Sequence, residues 1–232
     1  FQAERALWND RSELAAYRAR WLLLRTRALR LAAGAYLHIS YDLPRALADA
    51  WPGSAAFNSL SEAEGEAIAA PCVTLMDDPL LPGGFSSYPF DDEGVACRTK
   101  AVVEAGVLKT LLHNRKTAKK AGCKTTGNAA GAGRVAPTNL FFKPGRLTQE
   151  ELLANLGDGL FLTEVTGLHA GANPVSGDFS LLSRGYEIKG GKIVRAVEEF
   201  TVAGNFYQLL KDITDVGGDL LFETSPIGSP SV

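Results

Sequence analysis

The chain has 232 residues, 46% of them hydrophobic and 22% charged, with a formal net charge of −2. That length suits one large domain or two small ones with a substantial apolar core, and the balanced charge argues against a nucleic-acid module held by a generally basic surface. No apolar run approaches the roughly 20 residues of a membrane span. The three cysteines (Cys72, Cys97 and Cys123) are far apart and form no Cys-x-x-Cys, which is the usage of a reducing compartment, so the expected location is cytoplasmic.

The first sixty residues differ from the rest. They hold eight Arg, no Lys and five acids, a balance of +3, whereas residues 61–232 carry −5. No Gly or Pro interrupts residues 4–31, and Leu14, Tyr17, Trp21, Leu24, Ala28 and Leu31 follow helical spacing, so an amphipathic helix ending at Gly34 is expected. Arg11, Arg18 and Arg25 recur every seven residues on another face. They form a solvated basic face, or alternatively one that meets an acidic partner or a membrane surface. A short strand over residues 35–41 and a short helix over 44–50 follow. Residue 1 is Phe and the only Met is Met76, so a missing segment is expected.

Beyond residue 60 the texture is strand-rich. Ser61-Glu-Ala-Glu64 has the form of a capping box opening a short helix. Residues 72–76 read as a strand and residues 77–84 as a turn-dense loop. Strands over 95–103 and 107–112 form a hairpin about Glu104-Ala-Gly106, and residues 116–121 make a basic helical turn. The Gly-rich run 127–133 is expected to be flexible. A strand at 139–143 precedes a helix capped by Thr148 and Glu151, then a strand over 159–165 and a hairpin turning at Gly190-Gly191. Phe206, Leu209, Leu210 and Ile213 lie at i, i+3, i+4 and i+7, the spacing of an amphipathic helix. The expected class is α+β, with a largely antiparallel, hairpin-rich sheet, a few packing helices and a preceding Arg-rich helical segment.

Chemistry is sparsely signalled. None of His38, His113 and His169 has a second His one helical turn away, so no spacing predicts a metal site. No Gly-x-Ser-x-Gly elbow occurs, and the run 127–133 lacks the Lys-Ser/Thr of a phosphate-binding loop. The adjacent acids Asp77-Asp78, Asp91-Asp92-Glu93 and Glu198-Glu199 read as solvated turns or strand ends, because neighbouring carboxylates diverge. One segment stands out. Residues 164–180 join two apolar strands through Gly-rich turns that also carry His169, Asn173 and Asp178, candidate contacts for a substrate or partner. Ordinary turn chemistry explains the same residues without a ligand.

From about Ser59 onward the chain resembles the C-terminal domain of the TldD/PmbA family. The resemblance rests on several stretches in order: Asp77-Asp-Pro-Leu-Leu-Pro-Gly-Gly84, Pro89-Phe-Asp-Asp-Glu-Gly-Val95, Thr126-Gly-Asn128, Gly167-Leu-His-Ala-Gly171, Asn173-Pro-Val-Ser-Gly-Asp-Phe-Ser180, Thr201-Val-Ala-Gly-Asn205 and Gly228-Ser-Pro-Ser231. It implies a two-subunit cytoplasmic metallopeptidase acting on peptides or unfolded proteins. In that family the TldD type carries a zinc-binding His-Glu-x-x-x-His helix, which the PmbA/TldE type lacks. This sequence is closer to the second type and contains no such motif. The resemblance therefore implies no cofactor in this chain, zinc in a TldD-like partner, and pairing with a second copy when the chain is alone. Neither nucleic acid nor membrane is an expected partner. Residues 1–58 match nothing in the family and are expected to be a helical segment, possible remnant of an N-terminal domain, before a C-terminal domain at 59–232. The stretches 128–137 and 222–228 are short for the family. Two alternatives remain open at this point. One is an independent hydrolase whose ligands include His169, Asp178 and a Cys. The other is a non-enzymatic interaction protein using its basic N-terminal helix.

Overall fold

The computed structural model describes residues 64–173, 176–222 and 226–232. The helices and strand expected within residues 1–50, and the segment 1–58 as a whole, lie outside the described residues.

The chain first builds a meander of short strands: β1 (Leu75–Asp77), β2 (Lys100–Glu104) and β3 (Val107–Leu108). Helix α1 (Arg115–Ala121) follows, then the small ladder of β4 (Ala129–Ala130) and β5 (Arg134–Val135), then β6 (Leu140–Phe142). Helix α2 (Gln149–Leu156) leads into a three-stranded meander of β7 (Gly159–Thr166), β8 (Asp178–Lys189) and β9 (Lys192–Asn205), with the single turn α3 (Leu168–Gly171) between β7 and β8. Helix α4 (Phe206–Asp212), β10 (Leu221–Phe222) and β11 (Ile227–Ser229) complete the order. One sheet runs β10-β11-β6-β1-β2-β3 and another β7-β8-β9. Pairing is antiparallel except between β11 and β6, which run parallel. The class is therefore α+β, hairpin-rich and largely antiparallel, as the sequence predicts.

Two tight turns follow directly from residue type. Ala105 and Gly106 take φ of 48° and 80°, and Gly190 and Gly191 take 54° and 74°. Positive φ at both central residues is the hairpin turn whose twist matches its strands. A Cβ on Gly106 would overlap the Ala69 carbonyl oxygen, because residues 68 and 69 donate their amides to the Gly106 carbonyl. Ser61 and its expected cap lie outside the described residues, and over residues 64–70 that docking stands where the continuation of the expected helix would run. From Glu64 the chain turns at Gly65 (φ 95°) and forms a single bridge, Ala67 to Val107. A glycine in the left-handed region and amides committed to another strand leave no helix over residues 64–70.

The capping box expected at Thr148 and the apolar stripe expected from Phe206 do form. Thr148 Oγ1 accepts the Glu151 amide, and the Glu151 carboxylate accepts the Thr148 amide, at 3.2 and 2.7 Å. Leu152 and Leu153 of α2 pack with Phe161 and Ile188 in a small cluster. The main core lies between the two sheets and α4. It joins Leu75, Val103 and Phe142 from one sheet, Leu162, Leu181 and Phe200 from the other, and Phe206 and Leu210 from α4.

Strands β8 and β9 run well beyond a short hairpin about the expected Gly190-Gly191 turn. Along β8 the residues Leu181, Ser183 and Gly185 are buried while Leu182, Arg184 and Tyr186 are exposed. This period of two is what a half-covered strand requires. Opposite Arg184 both neighbours bulge, β7 at Thr163 and β9 at residues 198–199, where Glu199 takes φ 56°.

Candidate functional site

The segment singled out in the sequence folds as a hard-wired turn. At the end of β7, Gly167 (φ 84°) reverses the chain into α3, whose Gly171 amide closes on the Gly167 carbonyl at 2.7 Å. Asn173 and Asp178 are then brought together across the loop. The Asn173 amide donates to the Asp178 carbonyl at 2.8 Å, and Asn173 Oδ1 accepts the Ser176 amide at 3.2 Å. Both residues are exposed. The backbone of His169 lies within α3, while its side chain is outside the described residues.

Asn205, which sequence reasoning did not single out, locks this turn to α4. Its Nδ2 donates to the Ser176 carbonyl and to Asp178 Oδ1 at 2.8 and 2.9 Å, and its Oδ1 caps α4 by accepting the Tyr207 and Gln208 amides. The hydrogen bond from Asn205, with a second from Ser176, holds the Asp178 carboxyl below the usual aspartate range. A depressed carboxyl pKa contributes stability above the unfolded value and loses it as pH falls through the folded one. Asn205→Ala is accordingly expected to move the Asp178 titration midpoint back up toward its ordinary value of 3.8, read from its carboxyl carbon shift by NMR. An unmoved midpoint would contradict the lock.

A second polar assembly is buried beneath the motif-bearing loops. Asp77 ends β1 fully enclosed. Its Oδ2 accepts Lys100 Nζ at 2.8 Å and Asn128 Nδ2 at 2.7 Å, and its Oδ1 accepts the amide and hydroxyl of Thr138 at 2.6 and 2.7 Å. Thr126 Oγ1 donates to Asn128 Oδ1 at 2.7 Å, extending the chain of bonds toward α1. Asp91 is also buried, and it accepts the Glu93 and Val95 amides with one oxygen and the Ala129 amide with the other. The expectation of solvated acids therefore fails at Asp77 and Asp91, each of which closes a loop by satisfying its orphan donors. It holds at Asp92, Glu198 and Glu199, which are exposed. The same bonds correct the picture of a flexible 127–133. Asn128 is 2% exposed, and the Gly-rich stretch is the tip of the β4–β5 hairpin.

Among the described residues the side chains of types that ligate metals stay apart. The Cys97 thiol is buried, donates to the Gly127 carbonyl at 3.2 Å, and is pushed up first by burial and then by the Asp91 carboxylate, which keeps it protonated. Burial also raises the Cys72 thiol, whose Sγ faces the Ile213 carbonyl 3.4 Å away. His113 is pushed down by burial, with Nδ1 3.2 Å from Thr117 Oγ1. Among the described residues no three His, Cys, Asp or Glu side chains gather where they could hold a metal ion. A zinc ion therefore has no donor set to fit among them. No helix among the described residues is long and apolar enough to cross a membrane.

Comparison with known proteins agrees with the motifs. A metalloprotease of Archaeoglobus fulgidus is 37% identical over 163 residues, covering 68% of this chain and 37% of that protein. Metalloprotease PmbA of Escherichia coli O157:H7 is 33% identical over 163 residues, covering 69% of this chain and 34% of its own length. The chain thus spans little more than a third of these curated relatives. Among solved structures, a candidate modulator of a DNA gyrase from Thermotoga maritima superposes with a TM-score of 0.78 at 39% identity, covering 90% of this chain and 47% of its own. TldE from Thermococcus kodakarensis shares the fold, with a TM-score of 0.74 at 24% identity over 90% of this chain and 47% of that one. With the PmbA/TldA metallopeptidase C-terminal domain matching residues 46–232, the chain belongs to that family.

Proposed function

We propose that this chain is the non-zinc, PmbA/TldE-like subunit of a two-component cytoplasmic metallopeptidase acting on peptides or unfolded proteins. Its work is to shape the substrate chamber and to dock a TldD-like zinc subunit. The observation that carries this reading is family membership combined with scattered donor residues, among which the Cys97 thiol and the His113 ring are each engaged in a hydrogen bond within the domain. The turn bearing His169, Asn173 and Asp178 is the contact for substrate or partner. Its backbone is held by Asn205, so side chains can be presented without ordering cost. An extended peptide adds along β9, a 14-residue strand at the edge of its sheet.

The experiment is co-expression with a zinc-bearing homologue, followed by affinity purification and a peptidase assay on an unfolded substrate. The two chains are expected to co-purify, and only the complex is expected to cleave. Failure to associate, or cleavage of equal rate by the zinc-bearing chain alone, would contradict the proposal.

A further inference from the structure

Charge is segregated along this chain in a way that the peptidase reading does not use. Between Glu104 and Glu150 there is no Asp or Glu, and there are nine Lys or Arg. Five of them fall in ten residues: Arg115, Lys116, Lys119, Lys120 and Lys124, on α1 and the turn after it. Arg134 joins them in space, because the α1 cap residue Asn114 donates to the Gly133 carbonyl at 2.9 Å and brings the β4–β5 hairpin against the helix start. Arg115, Lys116, Lys119, Lys124 and Arg134 are all exposed. The ion pairs recorded among the described residues include none of these five.

This placement works against the helix that carries it. Arg115 and Lys119, like Lys116 and Lys120, are like charges at i,i+4, which repel. Arg115 and Lys116 also occupy the first turn, where the macrodipole favours acids, and the helix itself supplies no acid there. A merely solvated face has no need of cations at the wrong end of a seven-residue helix.

We propose that the exposed face of Arg115, Lys116, Lys119, Lys124 and Arg134 docks a short acidic segment of a polypeptide. The choice of a polypeptide rests on the peptide-handling reading above, and geometry supports it. Seven helical residues span about 10 Å, which is short for a nucleic-acid track needing several phosphate contacts. The face is also bordered by acids: Glu93 accepts the Arg115 amide at 2.8 Å, and Asp92 is exposed beside it. A continuous phosphate backbone would meet those carboxylates, whereas a short run of Glu or Asp would stop before them. The large aromatic side chains exposed at Phe85, Tyr88 and Phe90 belong to the loop before β2, and α1 itself carries no aromatic residue on which a base could stack.

The test is fluorescence anisotropy on the full chain, using a labelled Glu-rich peptide, its Gln counterpart and a single-stranded oligonucleotide of equal charge. The Glu-rich peptide is expected to bind best, and to weaken as salt rises from about 50 to 200 mM. A Lys116→Glu/Lys119→Glu variant and a Lys124→Glu/Arg134→Glu variant, the latter leaving α1 intact, are each expected to lose about ten-fold in affinity. Unchanged binding in both variants, equal binding of the Gln peptide, or tighter binding of the oligonucleotide would overturn the proposal. No peptidase activity enters this readout. Failure of the zinc-subunit pairing would therefore leave the binding result standing, and loss of binding here would leave that pairing untouched.

Discussion

Asp77→Ala is expected to lower the unfolding free energy by about 3–5 kcal/mol, a fall in Tm of roughly 6–20 °C for a domain of this size. The enclosed carboxylate has four donors, so its removal leaves the Lys100 ammonium, the Asn128 amide and both Thr138 donors without their acceptor. The Lys100 side chain is only 9% exposed, and water cannot readily replace the lost partner. Lys100→Met should cost less, because Asp77 keeps the other three donors while the methionine fills the same space. The double variant should cost less than the sum of the two, as expected for groups sharing one network. Thermal unfolding followed by circular dichroism checks the order, and a Lys100→Met loss exceeding that of Asp77→Ala would contradict it.

The second large effect is steric. Gly185 sits in the central strand of its sheet, paired to Leu162 on one side and Val197 on the other. A Cβ at this position would overlap the Phe161 carbonyl oxygen. Neither strand can yield without losing ladder bonds, so Gly185→Ala is expected to cost about 3 kcal/mol. Gly190→Ala is the matched control. Its Cβ would enter open space, and only the φ of 54° opposes it, at about 1–2 kcal/mol. Denaturant midpoints compare the two variants, and equal losses would remove the steric argument.

These two positions also mark where sequence reasoning succeeds and stops. The Thr148–Glu151 capping box, the Gly190-Gly191 turn and the α4 stripe are legible because each signal and its partner lie within a few residues. The burial of Asp77 is not, since its partners Lys100, Asn128 and Thr138 lie 23, 51 and 61 residues away. An adjacent pair of acids gives no sign that one faces inward. The parallel pairing of β11 with β6 is likewise a matter of topology rather than pattern. The turn formers Asn173 and Ser176-Gly-Asp178 are read correctly, but they hide the start of a long strand at Asp178. Of the candidate site, Asn173 and Asp178 do meet. Asn205 was missed, although its place just before the apolar stripe of α4 is an N-cap signal.

Where the zinc resides separates the two subunit types. The decisive measurement is zinc content and peptidase activity of the chain purified alone and of its complex with a TldD-like subunit, side by side. No bound zinc and no cleavage are expected for the chain alone, with both appearing in the complex. Stoichiometric zinc together with cleavage by the isolated chain would contradict the proposed function.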